Sequence, residues 1–419
     1  MEIRAVTVFA NPGFPPKEKV FPKVGKAAHA LRLVYEAADF AVQSARLATV
    51  PFPLLASSQN EAVDFAVKVE KAARQHGIEY SSIGPALPKF AASYEWIPAI
   101  LRETESIFLG GVMAEGATVY PKAVNACARA IKEASTLEPD GFANLRFAAL
   151  AEVGPFAPFF PAAYAAFGDG SEGMLGFSLA IETAPLAVEV FSAAKNVPEA
   201  ISSLAAEIER LAGRLAVLSE EMAARLQTRF LGIDFSFAPF PEESASFGEA
   251  LERLGVSQVG AHGTLAAAGI AAAALDEANF PRVGFNGLML SVLEDSTLAR
   301  RAAEGALGVK DLLLYSAVCG TGLDTVPLAG DATVEQLAAV LLDVAALAVR
   351  LRKPLTARLL PIPGKRAGDA VHFDFPYFAD SAVLPLEAGG VDSALASPVQ
   401  FALKARHQID ANGGGNVVD

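Results

Sequence analysis

The sequence predicts an α/β fold organised around a mostly parallel sheet and laid out as one integrated unit. Through the first half, short segments with apolar residues at alternate positions trade places with longer ones whose apolar residues recur every three to four positions. That is the pattern of successive βα units. No Ser-, Pro- or Gly-rich linker of domain-separating length interrupts the 419 residues, although a prior of roughly 150 residues per domain allows two or three domains.

Taken in order, residues 3–9 alternate as a first strand and carry charges where a secretory leader needs an unbroken apolar run. Helix about 23–43, strand 44–50, helix 60–75, strand 78–83, helix 94–103, strand 105–109, helix 119–134 and strand 144–152 follow. Turn residues such as Asn11-Pro12-Gly13 and Pro51-Phe52-Pro53 punctuate the connections. The weakly charged stretch 147–168 has the hydropathy of a membrane span. Pro155, Pro158 and Pro161 each remove a backbone donor, so it reads instead as a strand end followed by a buried apolar loop. A strand-to-helix step occupies 175–192. A long amphipathic helix follows at about 197–228, with Leu204, Ile208, Leu211 and Leu215 on one face. Farther on, strand-like segments at 231–239, 355–362 and 381–386 alternate with Ala-rich helices at 264–275 and 333–350. One domain over 1–408 is expected, with a soft seam near 195–230 and a disordered tail at 409–419.

Lys and Arg total 34 against 47 Asp and Glu, a net charge of −13. With no basic run to offset phosphate repulsion, nucleic acid and anionic membranes are excluded as partners. A small-molecule ligand is expected instead, and an acidic soluble surface suits a homo-oligomer. Cys127 and Cys319 are the two cysteines. They make no disulfide framework and fit a reducing, cytoplasmic compartment.

Several segments present chemistry-bearing side chains. In Leu231-Gly232-Ile233-Asp234-Phe235-Ser236, alternation puts Asp234 and Ser236 on one strand face, where they either serve a site or face solvent. Gly260-Ala261-His262-Gly263-Thr264 sets an imidazole in a Gly-flanked turn with Thr264 as N-cap of the next helix. His262 is the best acid–base candidate of the five histidines, against the plain alternative of a turn histidine. Val318-Cys319-Gly320-Thr321-Gly322-Leu323-Asp324 offers a thiol in a flexible turn with a carboxylate five residues on, and Gly263-Thr264 and Gly320-Thr321 offer backbone N–H groups to an anion. Glu294-Asp295 fits a helix N-terminus best, or a divalent cation together with Asp234 or Asp324. Arg146, Glu152 and Glu182 stand at strand ends as pocket or rim residues, and residues 11–16 and 110–116 are candidate covers for such a pocket. No dinucleotide, P-loop or zinc signature occurs, so no organic cofactor is expected; a divalent metal is the one alternative.

From about 230 to 382 the ordered series Leu-Gly-Ile-Asp-Phe-Ser-Phe-Ala-Pro, Gly-Ala-His-Gly-Thr, Ser-Val-Leu-Glu-Asp, Ser-Ala-Val-Cys-Gly-Thr-Gly-Leu-Asp-Thr-Val-Pro and Arg358-Leu359-Leu360-Pro361-Ile362-Pro363-Gly364 resembles the domain-of-unknown-function 711 family, also called uncharacterised protein family 0210. Ile3-Arg4-Ala5-Val6-Thr7, Asn125 and Phe147-Ala148 agree more loosely. The resemblance implies a fold like that of pyruvate formate-lyase and its glycyl-radical relatives: an α/β barrel, wrapped in Ala-rich helices, around a central loop that can present Cys319. The Arg-Val-Ser/Ala-Gly-Tyr-type segment that stores a glycyl radical is absent. The expectation is therefore an enzyme without a radical, of lyase, isomerase or hydrolase type. In it His262 moves protons, Cys319 is nucleophile or second acid–base, and Asp234 or Asp324 orients the imidazole. The alternatives are a ligand-binding or regulatory protein on the same barrel and a divalent-metal enzyme.

Overall fold

The structure is a computed structural model that describes residues 2–168, 173–318 and 320–405. Among these residues twelve strands join in one sheet. In chain order the strands are β1 (Glu2–Ala10), β2 (Ala41–Val42), β3 (Ala45–Thr49), β4 (Tyr80–Ala86), β5 (Ile107–Glu115), β6 (Thr118–Val119), β7 (Phe147–Ala151), β8 (Leu175–Ile181), β9 (Arg229–Asp234), β10 (Gly322–Ala329) and β11 (Leu355–Ile362). β12 (Ala370–Val371) and β13 (Ser381–Ala382) form a separate ribbon, and β14 (Phe401–Ala402) pairs with β6.

In space the main path runs β10-β11-β7-β5-β4-β3-β1-β8-β9. The five strands from β7 to β1 are parallel, as the βα alternation predicts. The pairs β8–β9 and β10–β11 are each parallel internally but antiparallel to β1 and β7, so the sheet is more mixed than expected. The cause lies in the connection after β7. Residues 152–168 form no helix, and a parallel partner for β7 would need a helical crossover. The segment instead lies across one face of the sheet. Ser82 of β4 donates to Ala163 O (2.6 Å), Ala165 N to Thr49 O of β3 (2.9 Å), and Ser178 of β8 to Phe156 O (3.2 Å). These bonds satisfy backbone groups that a buried loop would otherwise leave unpaired. The buried apolar loop expected from the prolines is thus what forms, and it becomes one wall of a cavity.

The helices are α1 (Phe21–Ala37), α2 (Gln59–Gln75), α3 (Ile97–Glu103), α4 (Pro121–Ala134), α5 (Ala184–Ala193), α6 (Val197–Leu226), α7 (Phe247–Arg253), α8 (Thr264–Glu277), α9 (Ser296–Ala303), α10 (Val309–Val318) and α11 (Val334–Leu351). α6 starts where Asn196 accepts from Glu199 N (3.0 Å) and buries Leu204, Ile208, Leu211 and Leu215. α11 opens on a capping box between Thr333 and Gln336. α1 ends six residues before the periodicity suggests, because Asp39 turns with φ +66° and residues 41–42 pair with β1. Residues 110–116 are not a cover: most of them are β5 itself. No described helix is long and apolar enough to cross a membrane.

A closed barrel is not formed among the described residues, because β9 and β10 do not pair with each other. Residues 281–292 reach both edges. Ile233 N donates to Pro281 O (2.8 Å) and Val292 N to Asp324 O (3.1 Å). Pro281 lacks an N–H, and Gly284 and Asn286 turn with positive φ, so this segment makes isolated bridges where a strand would make a ladder.

Candidate functional site

The sheet face under the 152–168 loop presents Thr7 on β1, Arg46 on β3, Tyr80 and Ser82 on β4, and Phe108 on β5. Parallel register sets Thr7 beside Arg46, Arg46 beside Tyr80 and Ser82 beside Phe108. Between this face and the loop is a cavity of about 500 Å³, within the range of small-molecule sites. Tyr80, Phe108, Phe159 and Phe160 form an aromatic wall, and Phe375 and Tyr377, from the segment between β12 and β13, contribute two more rings. The exposed His372 pairs with Asp380 (2.7 Å) at the base of that segment.

The opposite wall is ionic. Arg4 donates to Glu182 (3.3 Å) and Pro239 O (2.8 Å) and pairs closely with Glu294. Arg358 makes a two-pronged pair with Asp324 (Nε–Oδ1 2.6 Å, Nη2–Oδ2 2.9 Å) and donates to Glu294 (2.6 Å). Glu294 therefore bridges two guanidinium groups. Burial alone would push its carboxyl up, but Arg358 and Arg4 outweigh burial and hold it below the ordinary carboxylate range. At Glu182 burial prevails over Arg4 and Gln43 and raises the carboxyl.

Asp234 ends β9 at the cavity wall. Its Oδ1 accepts from Ser236 N (2.9 Å), Ser236 Oγ (2.6 Å) and Asn286 N (3.1 Å), and its Oδ2 from Phe285 N (2.9 Å). Burial pushes this carboxyl up while the same hydrogen bonds pull it down; burial prevails. Gly284 makes the arrangement possible, since a Cβ there would lie 2.3 Å from Asp234 Oδ2.

Of the residues singled out from sequence, Asp234, Ser236, Arg146 and Glu294 line this cavity, and Asp324 stands behind it through Arg358. Arg146 turns its guanidinium to Thr104 O and Leu101 O (2.8 Å each). The others lie elsewhere. His262 is exposed in its turn and does not line the cavity. Gly263, not Thr264, is the cap residue of α8, because Thr264 Oγ1 bonds back to Ala261 O and Gly260 N. Glu152 accepts from Ala117 N (3.1 Å) at a strand end. Gly320 is buried, and Thr321 after it bonds to Leu288 O, tying residues 281–292 to the start of β10. Cys319 lies outside the described residues. Asp295 caps α9 and faces Ser246, Gly248, Thr297 and Leu298, away from Glu294, as the helix N-terminus reading has it. Asp234, Glu294 and Asp295 accordingly do not converge, and no group of three His, Cys, Asp or Glu among the described residues is placed to hold a metal ion.

Sequence reading missed Arg4, Arg46 and Arg358 as a set. The available signal was a single arginine inside each of three otherwise apolar strands, Ile3-Arg4-Ala5-Val6, Ala45-Arg46-Leu47-Ala48 and Ala357-Arg358-Leu359-Leu360. A buried strand does not hold a guanidinium unless something polar waits for it.

Fold and site together define an α/β protein with a ligand-sized cavity between aromatic rings and a buried arginine–carboxylate network. The chain belongs to the family described as Uncharacterised ACR (DUF711), which it matches over residues 1–380. It is similar to UPF0210 proteins of Pyrobaculum arsenaticum (30% identity over 398 residues, 88% of this chain and 87% of that one) and Pyrobaculum islandicum (31% over 400 residues, 88% and 87%). A UPF0210 protein of Methanopyrus kandleri is 29% identical over 374 residues, covering 84% and 82%.

Proposed function

We propose that the protein binds a small metabolite in the cavity between Arg46, Arg358 and the aromatic wall. The observation that carries this reading is the convergence, on one space of about 500 Å³, of four arginines, five carboxylates and seven aromatic rings drawn from segments hundreds of residues apart. Buried charge of this density costs folding free energy, and functional sites are where such arrangements concentrate. Binding is tested by thermal-shift screening of a metabolite library against the wild-type protein and Ala180→Trp, which fills the cavity from β8. Ligands that stabilise only the wild type support the reading; equal stabilisation of both proteins contradicts it.

A catalytic version of the reading is favoured by Asp234, a buried carboxyl on the cavity wall with a raised pKa. It would carry protons in lyase, isomerase or hydrolase chemistry beside a carbonyl. Asp234→Asn that retains ligand binding and loses turnover is the expected result.

A further inference from the structure

Four arginines line the cavity, and three of them are fully engaged by protein. Arg4 has Glu182, Glu294 and Pro239 O; Arg358 has Asp324 and Glu294; Arg146 has two backbone carbonyls and Glu138 at 3.8 Å. Arg46 differs. Its Nε donates to Ser44 Oγ (2.9 Å), and Ser44 Oγ in turn donates to Arg4 O (2.8 Å), which fixes the side chain. Its guanidinium lies against the rings of Phe160 and Tyr80, with centroids at 5.2 and 5.9 Å. Neither terminal nitrogen has an acceptor among the described residues, although the group lines the cavity wall. Burial first, and then the neighbouring Arg4, push the Arg46 pKa down to about 10. A guanidinium held by its Nε, stacked on rings and open at both Nη groups is shaped to receive a two-oxygen acceptor.

We propose that Arg46 is the anion receptor of the cavity and that the ligand is a monocarboxylate with an apolar, ring-sized body packed against Tyr80, Phe108, Phe159 and Phe160. This rests on the cavity being the ligand site. Charge selects a carboxylate over a phosphate monoester: Glu79, Glu105, Glu138, Asp234 and Glu294 line the same space, and a dianion would meet their repulsion with one uncommitted guanidinium to offset it.

The test is calorimetric titration of the full-length protein with three probes: 3-phenylpropanoate, its neutral amide and phenyl phosphate. The wild type is expected to bind the carboxylate about tenfold or more tighter than either of the others. Arg46→Gln is expected to lose that preference while retaining the amide's affinity, and Arg46→Lys to recover part of it. Circular dichroism and a thermal melt confirm that both variants are folded. Should Arg46→Gln misfold, the wild-type comparison of acid, amide and phosphate decides alone. Equal affinity for acid and amide, tighter binding of phenyl phosphate, or undiminished carboxylate binding by Arg46→Gln overturns the inference and leaves the cavity reading standing. If no probe binds at millimolar concentration the inference fails, and if in addition Ala180→Trp behaves as wild type in the metabolite screen, the cavity reading fails with it.

Discussion

Arg358 on β11 faces Asp324 on β10 across a β-bulge. The register advances from Leu323↔Ala357 to Val326↔Leu359, so Asp324 and Thr325 stand opposite the single residue Arg358. Thr325 turns with φ +40°, and its hydroxyl bonds Ser291 Oγ (2.5 Å) on the segment that bridges the sheet edges. The extra residue re-aims Asp324 so that both its oxygens meet the guanidinium, a use of the bulge that regular pairing would not allow. Two consequences are joined here: the pair holds Arg358 in place for Glu294, and the bulge connects that ionic wall to residues 281–292.

Arg358→Met should destabilise the protein by about 3–5 kcal/mol, because it leaves Asp324 and one oxygen of Glu294 buried without a cation. Chemical denaturation of the variant against the wild type measures it. Arg358→Lys should restore only part of the loss, since an ammonium cannot reproduce the two-pronged geometry.

Glu294 should dominate the acid side of the stability profile. Its folded pKa lies below the ordinary 4.5, so its pairing contributes stability above about pH 4.5 that is lost as pH falls through the lowered value. Glu294→Gln should cost about 3 kcal/mol at neutral pH. The gap between variant and wild type should narrow as the pH is lowered below 4.5. Denaturant titrations at a series of pH values check this, and a gap independent of pH would contradict it.

Gly284→Ala should damage the site and the fold together. Its φ is +81° and the added carbon would press on Asp234 Oδ2, so about 2 kcal/mol or more of stability should be lost. Ligand affinity should fall with it, because the backbone donors of Phe285 and Asn286 move off the carboxylate. Gly77, also at positive φ but with open space around it, is the control for backbone strain alone.

Cys127 should resist alkylation in the native protein. It is buried on α4, donates to Gly111 O at 3.6 Å, and burial pushes its thiol up. Peptide mapping after brief iodoacetamide treatment should show Cys127 unmodified until denaturant is added. Any native labelling then reports on Cys319, the thiol on which the nucleophilic reading depends.

Much of the fold was legible because it is written in local periodicity. Residues 355–362 form the strand that alternation predicts, α6 begins at 197, and Glu294-Asp295 does introduce a helix. The arginine set was not legible, since Arg4, Arg46 and Arg358 meet only once β1, β3 and β11 take their places in a sheet order that local pattern does not encode. Each alone is a single arginine in an apolar stretch of strand. His262 lies apart from the cavity for a legible reason: flanking glycines announce a turn, and a turn usually lies at the surface, where the imidazole is found. The antiparallel placement of β8 and β11 was equally hidden, because it follows from a buried loop taking the place of a crossover helix.

The most direct measurement is a crystal structure of the protein grown with 3-phenylpropanoate. Electron density is expected in the cavity with carboxylate oxygens within hydrogen-bonding distance of both Arg46 Nη atoms and the ring against Phe108 and Phe160. Ligand density beside His262 with the cavity empty, or in the cavity with its carboxylate turned away from Arg46, would contradict it.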